Sequence, residues 1–219
     1  MQNRMKALQI LTALILALLA FGPLPQQAVE AQALPVASET VVIYEAYGAG
    51  GNTNSLYTHD YVVIFNLSNT SVDISGWQLA GWAATLSAGP YIPLIFFPAD
   101  TILQPGQYYL ITQVPTNGDQ NPIPIPDIRG TWAMSGTGFS VALVDTDSRQ
   151  VDLVGFSSGS SYYEGAKADA LSATTAGVRK DRCVDTGNNK EDFTTQAPAP
   201  KNSSTPLAPC TPSAPSVSS

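Results

Sequence analysis

The chain has few charged residues, one histidine and two cysteines, and each shortage excludes a class of function. Lys, Arg, Asp and Glu together make up 12% of the 219 residues. The formal net charge is −7, so the surface repels polyanions at long range, and nucleic acid and anionic membranes are poor general partners. The sequence also has no internal repeat and no heptad run, which excludes a coiled-coil filament.

The N-terminal segment is typical of an export signal. Arg4 and Lys6 precede an almost uninterrupted apolar run over residues 7–24, and Ala31-Gln32-Ala33 fits the small-x-small cleavage pattern. Residues 1–33 are therefore predicted to be a signal peptide, and the mature chain is predicted to begin near Leu34. A retained membrane anchor is the alternative, because the apolar run approaches the minimum length that spans a bilayer. No later apolar run is long enough to span one, so the mature chain is expected to be secreted or associated with the cell envelope.

The two cysteines are predicted to form a disulfide. Cys183 and Cys210 are an even pair in a chain that carries an export signal, and exported proteins fold in an oxidising compartment. Closing a loop of about 28 residues would stabilise the fold by roughly 3.5 kcal/mol. A metal site built on these two thiols would need further ligands, and His59 lies far away in the sequence.

Short apolar segments with strand periodicity follow one another along the chain, separated by Gly, Pro and Asn. They predict about eight strands, at residues 40–47, 61–66, around 72, 77–82, 91–97, 107–113, 139–145 and 150–156. The last two are expected to form a hairpin. Prolines exclude regular structure from residues 116–127, and no helix is expected after the signal. Residues 34–210 are predicted to form one all-β domain, and the Pro/Ser-rich residues 211–219 a disordered tail.

The segment DYVVIFNLSNTSVDISGWQL, residues 60–79, is the most informative part of the sequence. A strand, an Asn-rich turn, a Val-Asp-Ile segment and a Ser-Gly-Trp turn follow in that order. This order resembles the lamin tail domain, in the form found in secreted bacterial proteins. The segments that carry the resemblance are residues 42–48, 57–66, 75–77, 103–111, 151–156, 163–165, 178–180, 183–189, 192–193, 197–203 and 209–210.

The resemblance implies an immunoglobulin-like β-sandwich that acts as a non-catalytic module. Such modules are often fused to secreted hydrolases. The chain departs from the family pattern in two ways. Val63 stands where the family usually has Glu, and an extra cysteine pair of many bacterial members is missing. A role for that Glu is therefore not carried over to this chain.

One pattern suggests a serine hydrolase. Residues 155–159, Gly-Phe-Ser-Ser-Gly, satisfy the G-x-S-x-G motif around Ser157. That mechanism needs a strand-turn-helix elbow and a histidine downstream of the serine. The only histidine, His59, lies upstream, and Ser, Gly and Tyr follow the motif instead of a helix. A Gly/Ser loop is therefore the better interpretation, and no catalytic residue is assigned.

Asp145, Asp147 and Asp152 lie close together in the sequence and could suggest a calcium site, because Ca²⁺ prefers several carboxylate oxygens. Asp145 and Asp147, however, flank the expected hairpin turn, where Asp is favoured because its side chain bonds the backbone. The turn is the preferred interpretation. No metal and no cofactor are predicted.

Surface contacts remain as the expected means of action. Trp82 and Trp132 are the candidates for exposed aromatic contacts. Arg179, Lys180 and Arg182 form the one basic cluster, which could bind an anion or could pair with acidic residues nearby. We expect a binding or structural module that contacts a protein or the cell envelope. The alternative is a carbohydrate- or nucleic-acid-binding accessory module of a secreted hydrolase system, and of these two ligands nucleic acid is disfavoured by the net charge.

Overall fold

A computed structural model describes residues 37–81, 91–113, 123–157 and 160–210. The predicted signal peptide, the predicted tail and Trp82 lie outside these ranges. The described residues form twelve strands and one short helix: β1 (Val41–Tyr47), β2 (Tyr61–Asn66), β3 (Val72–Asp73), β4 (Gln78–Gly81), β5 (Ile92–Phe96), β6 (Ile102–Leu103), β7 (Tyr108–Gln113), β8 (Ile128–Gly130), β9 (Ser140–Val144), β10 (Gln150–Gly155), β11 (Ala176–Arg179), α1 (Asn189–Asp192) and β12 (Phe193–Gln196).

The strands form an immunoglobulin-like β-sandwich, as the sequence predicted. One sheet has six strands in the order β12-β11-β1-β2-β7-β8, and the facing sheet has four in the order β10-β9-β4-β5. A two-stranded ladder joins β3 to β6. All pairings are antiparallel except that of β7 with β8, which is parallel. In the described part of the chain, no helix has the length and apolar character that a membrane crossing requires.

The main apolar core contains the inward-facing side chains of both large sheets. Its members are all at most 7% exposed and include Ile43, Val62, Ile64, Leu79, Ile111, Val141, Leu143 and Val154. Alternation along the strands places these residues on one face, because successive side chains of a strand point to opposite faces. Trp77, which follows the Ser-Gly turn, packs against this core.

The outer face of the six-stranded sheet is also buried. It carries an aromatic cluster that includes Tyr47, Tyr61, Phe65 and Tyr108. Residues 197–210, called the C-terminal segment below, lie against this face. Its contacts run from the Tyr44 hydroxyl of β1, which accepts a hydrogen bond from Lys201 Nζ at 2.9 Å, to the Gly106 carbonyl, which accepts from the Ala208 N–H at 2.9 Å.

Gly106 is required where the C-terminal segment meets the turn before β7. Its φ of +73° lies in the left-handed region, and a Cβ at this position would lie 2.2 Å from the Pro209 nitrogen. The segment then ends in the disulfide between Cys210 and Cys183, whose Cα atoms are 5.5 Å apart. The structure thus confirms the predicted disulfide, which fastens the end of the segment to the turn after β11.

The predicted strands agree with β1, β2, β3, β4, β5, β7, β9 and β10 within two residues at each described end, and β9 and β10 form the expected hairpin. Five elements were not predicted from the sequence, namely β6, β8, β11, β12 and α1. Each of these has two to four residues, too few for a period to be visible. The prediction that prolines leave residues 116–127 without regular structure holds for the described residues 123–127.

Candidate functional site

Among the described residues, a buried arginine surrounded by carboxylates forms the largest group of ionisable side chains in the interior. Arg179, the last residue of β11, is 2% exposed. Its Nη2 lies 3.1 Å from Asp152 Oδ2, and its Nη1 lies 3.1 Å from Asp185 Oδ1 and 3.3 Å from Asp192 Oδ2. Its Nε donates to the Ile43 carbonyl at 3.0 Å. We call Arg179, Asp152, Asp185, Asp192 and Glu164 the arginine–carboxylate cluster.

Local backbone features place two of the aspartates, Asp152 and Asp192, beside the guanidinium. A register shift in the β9–β10 ladder lies between Gln150 and Asp152, and Asp152 Oδ2 then accepts the Ile43 N–H from the facing sheet at 2.5 Å. Asp192 is the last residue of α1, which begins because Asn188 caps it by accepting the Lys190 N–H. These features follow from turn and cap residues rather than from strand periodicity.

Glu164 completes the cluster from the loop after β10 and is fully buried. Its Oε1 accepts a hydrogen bond from Gln150 Nε2 at 3.2 Å, and its Oε2 lies 3.5 Å from Asn189 Nδ2. Burial, followed by the charges of Asp152 and Asp185, raises the pKa of Glu164 to about 9. Glu164 is therefore protonated at neutral pH.

The aspartates respond differently to the same arginine. Burial raises the pKa of Asp152 to about 6, although Arg179 opposes this shift. Burial also disfavours the ionised form of Asp185, but Arg179 and the Ser38 N–H outweigh it, so that the pKa of Asp185 is lowered. Burial, with the neighbouring Asp185, raises the pKa of Asp192. The cluster thus holds more acid groups than one arginine neutralises, and protons on the most buried acids reduce the excess charge.

Three of these acids have a spacing that a metal ion could bridge. Asp152, Glu164 and Asp185 each place a carboxylate oxygen within 4.8 Å of the others. The guanidinium of Arg179 already lies against two of them and supplies a positive charge there. The calcium set that the sequence suggested is divided in the structure. Asp145 Oδ1 accepts the Asp147 N–H at 2.9 Å in the hairpin turn, as expected, and only Asp152 belongs to the cluster.

The cluster connects segments that are far apart in the sequence. Through Arg179 and Asp152 it joins β11 to β1 and β10, and through Asp185 it reaches the Ser38 N–H at 2.5 Å. The guanidinium carbon also lies 4.7 Å from the centre of the Phe193 ring on β12. With the side chains of Arg179, Asp152 and Asp185 fully buried, these groups are inaccessible to a large ligand. The ion pairs and hydrogen bonds of the cluster therefore link the two sheets.

The basic cluster of the sequence does not form a surface anion site as a unit. The expectation that Arg179 is a surface contact is wrong, because its side chain is buried in ion pairs. Lys180 is exposed, and its Nζ donates to the carbonyls of Lys190 and Glu191 at the end of α1, at 3.1 and 2.6 Å. Arg182 is exposed, and its Nε donates to the Ala208 carbonyl at 3.3 Å. The alternative interpretation, pairing with nearby acidic residues, holds for Arg179 with Asp185, whereas Lys180 and Arg182 bond main-chain carbonyls.

Trp132 is also misplaced by the sequence analysis. It is 7% exposed and belongs to the main core, so the expectation of an exposed aromatic contact is wrong for this residue. The reason is its position just after β8, an edge strand that pairs with β7 and faces the core. The other candidate, Trp82, lies outside the described residues.

The two residues of the hydrolase alternative, His59 and Ser157, lie next to strand ends. His59 is 1% exposed, and its Nδ1 lies 2.9 Å from the Thr58 hydroxyl just before β2. Ser157 follows β10 with a φ of +65°, and its N–H donates to the Ala168 carbonyl at 3.0 Å. The motif requires a strand-turn-helix elbow, and the described residues 160–188 that follow it contain no helix.

Two further buried acids were missed by the sequence analysis. Asp60 accepts the N–H groups of Gly50 and Met134 at 2.8 and 2.7 Å, and burial raises its pKa to about 6. Glu45 accepts the Tyr61 hydroxyl and the Ala199 N–H at 2.5 and 2.7 Å, and burial raises its pKa. The sequence offers one signal for each buried acid: Asp60 directly precedes strand β2, and Glu45 lies within strand β1.

Two packed sheets, one of six strands and one of four, define an immunoglobulin-like β-sandwich. The lamin tail domain family matches residues 35–158, and the chain belongs to this family. Its members are non-catalytic immunoglobulin-like modules that generally take part in protein interactions. No curated protein matches the chain.

Proposed function

We propose that the chain is a non-catalytic module that acts outside the cytoplasm by contacting a protein or another component of the cell envelope. The observation that carries this proposal is that the side chains best suited to chemistry are committed to fixed internal contacts. The arginine–carboxylate cluster is buried between strands, and His59 is buried beside Thr58. Function is then left to the surface, as expected for a module of this family.

The place of action is supported by the disulfide and by the N-terminal sequence. Cys183 and Cys210 form a disulfide. Disulfides persist in oxidising compartments and are rare in reducing ones. Residues 1–33 have the features of an export signal. Export of a tagged chain followed by N-terminal sequencing tests this part, and a mature protein that begins near Leu34 is expected. Retention of the whole chain in the cytoplasm, with two free thiols, would contradict it.

The alternative ligands have weaker support. Carbohydrate binding relied on exposed aromatic residues, and Trp132 is buried in the core. Nucleic-acid binding relied on the basic cluster, from which Arg179 is removed by burial, in a chain of net charge −7. Both ligands are retained as outcomes of the binding experiment.

The binding experiment is a pull-down from a cell-envelope extract, with polysaccharide and DNA added as competitors in separate arms. A captured protein that withstands both competitors supports the proposal. Capture that polysaccharide abolishes would favour the carbohydrate-binding alternative. Tight DNA binding at physiological salt that disappears in Lys180→Ala/Arg182→Ala would contradict the proposal, because both exchanged residues are exposed. If nothing is captured, a purely structural role replaces it.

The absence of catalysis is tested separately with ester, phosphate and nucleic-acid substrates. We expect no turnover from the purified protein. Turnover that Ser157→Ala or His59→Ala abolishes, in a variant that keeps the melting temperature of the parent protein, would overturn the proposal.

A further inference from the structure

In the described part of the chain, strand β5 is an apolar strand at an edge of the sandwich. Ile92–Phe96, with the sequence IPLIF, is the last strand of the four-stranded sheet. Phe96 is 60% exposed and Ile92 is 45% exposed. Natural proteins commonly protect an edge strand with charged side chains, because its unpaired backbone groups attract another strand. Strand β5 has no charged residue.

The charge distribution along the sequence indicates what this edge can accept. Residues 74–99, between Asp73 and Asp100, contain no charged residue, although the chain as a whole has a net charge of −7. Two copies of an acidic chain repel each other over most of their surfaces. Two copies of β5 have no such repulsion, and an uncharged apolar strand is complementary to itself, as a twofold contact requires.

The backbone geometry shows which part of the edge is available. The Phe97 N–H donates to the Trp77 carbonyl at 2.8 Å, and the Phe97 carbonyl accepts the Gly76 N–H at 3.0 Å. Because alternate residues of an antiparallel strand turn their N–H and C=O groups to opposite sides, those of Phe96 point away from β4. Pro93 has no N–H, and the β4–β5 register shifts next to it. Pairing is therefore confined to the C-terminal half of β5.

We propose that two copies of this chain associate edge to edge through β5, in an antiparallel arrangement with Phe96 of each copy against the other strand. Half of one short strand buries much less than the 1,200–2,000 Å² typical of stable complexes. The dimer is therefore weak, and its formation depends on concentration. This inference goes beyond the proposed function and does not depend on it, because self-association needs no other partner.

Sedimentation velocity from about 10 μM to about 1 mM tests the inference with Phe96→Lys. Leu207→Lys is the matched control, because Leu207 is 55% exposed, lies on the C-terminal segment away from β5 and receives the same charge. The parent protein and both variants have the same N-terminal residues 1–33. Association through those residues would therefore be equal in all three proteins and would not produce a difference between them. We expect the average mass in solution to rise with concentration for the parent protein and for Leu207→Lys. For Phe96→Lys we expect it to stay at the mass of the monomer at every concentration.

Amide hydrogen exchange provides the second measurement. The Phe96 N–H should exchange more slowly at the high concentration than at the low one in the parent protein, whereas other edge amides should not change. Circular dichroism melts check that both variants fold. A parent protein that is monomeric throughout, an equal loss of association in both variants, or Phe96 exchange that is independent of concentration would each overturn the inference. None of these outcomes affects partner capture in the pull-down.

Discussion

Replacing Glu164 by Gln should make the protein more resistant to alkali, because the buried carboxyl is protonated in the folded state. Burial and the nearby charge of Asp152 raise its pKa to about 9 in the fold, against about 4.3 in an unfolded chain. Between these two values the folded state holds a proton that the unfolded state releases. Each pH unit in this window therefore lowers the free energy of unfolding by about 1.4 kcal/mol in the parent protein. Gln carries no such proton, so this loss is absent from the variant.

Gln also preserves the neutral shape of the site. The Glu164 Oε1 that accepts the Gln150 side chain at 3.2 Å has an equivalent amide oxygen, and the amide NH₂ replaces Oε2, which gives up only the long 3.5 Å contact with Asn189 Nδ2 at every pH. At low pH the two proteins should differ only by this exchange of similar groups. From pH 5 to pH 8 the variant should gain about 4 kcal/mol relative to the parent protein. The contribution of Glu164 to stability is thus fully present below the unfolded pKa and is lost as pH rises towards the folded pKa.

The assay is urea denaturation followed by tryptophan fluorescence at pH 5, 6, 7 and 8 and at constant ionic strength. Glu191→Gln, at an exposed residue next to the same cluster, controls for the removal of one acid from an acidic chain. The reasoning about Glu164 is refuted if the stability difference between Glu164→Gln and the parent protein does not change with pH, or if it falls as pH rises. A similar rise in Glu191→Gln would mean that net charge, not the buried proton, causes the effect.

Three other substitutions test the remaining internal contacts. Arg179→Met should destabilise the fold by about 3–5 kcal/mol at pH 7, because it leaves buried carboxylates without their cation, and the loss should shrink as acid protonates them; an unchanged urea midpoint would contradict the cluster. The paired change Cys183→Ser/Cys210→Ser should cost about 3 kcal/mol and make the C-terminal segment sensitive to protease, whereas equal stability of the oxidised parent protein and this variant would exclude a stabilising disulfide. Asp60→Asn keeps one acceptor for two backbone N–H groups and should cost about 1–3 kcal/mol. Its signature is faster exchange of the amide that loses its acceptor, and unchanged exchange of both amides would disprove their bonds to the side chain.

The sequence was sufficient for elements whose signal is local. Strand β2 was predicted with its observed bounds, because five apolar residues end at Asn66, whose side chain bonds its own turn by accepting the Ser68 N–H at 3.0 Å. The β9–β10 hairpin followed from two alternating segments around a turn that Asp145 closes. The disulfide followed from there being only two cysteines in a chain with an export signal.

The arginine–carboxylate cluster could not be predicted in the same way. The sequence analysis assigned no site role to Asp152 and named Arg179 as a candidate surface contact, whereas the two residues form an ion pair that spans 27 positions of the chain. Glu164 and Asp192 lie in short polar segments with no period. The partner of each charged residue depends on which strands become neighbours. A charged residue such as Arg179, whose type favours the surface, is therefore buried by the arrangement of the strands.

What the sequence by itself determined was the class of fold, the main strands and the covalent link, because apolar alternation and turn residues act over a few positions along the chain. Only the tertiary structure decided which charged and aromatic residues are buried. Trp132 enters the core because β8 pairs in parallel with β7, and Arg179 is enclosed because β11 lies beside β1, opposite the β9–β10 hairpin. Burial depends on contacts between distant segments, and it sets the pKa of Glu164; the same contacts decide the strand order, which places β5 at an edge of its sheet.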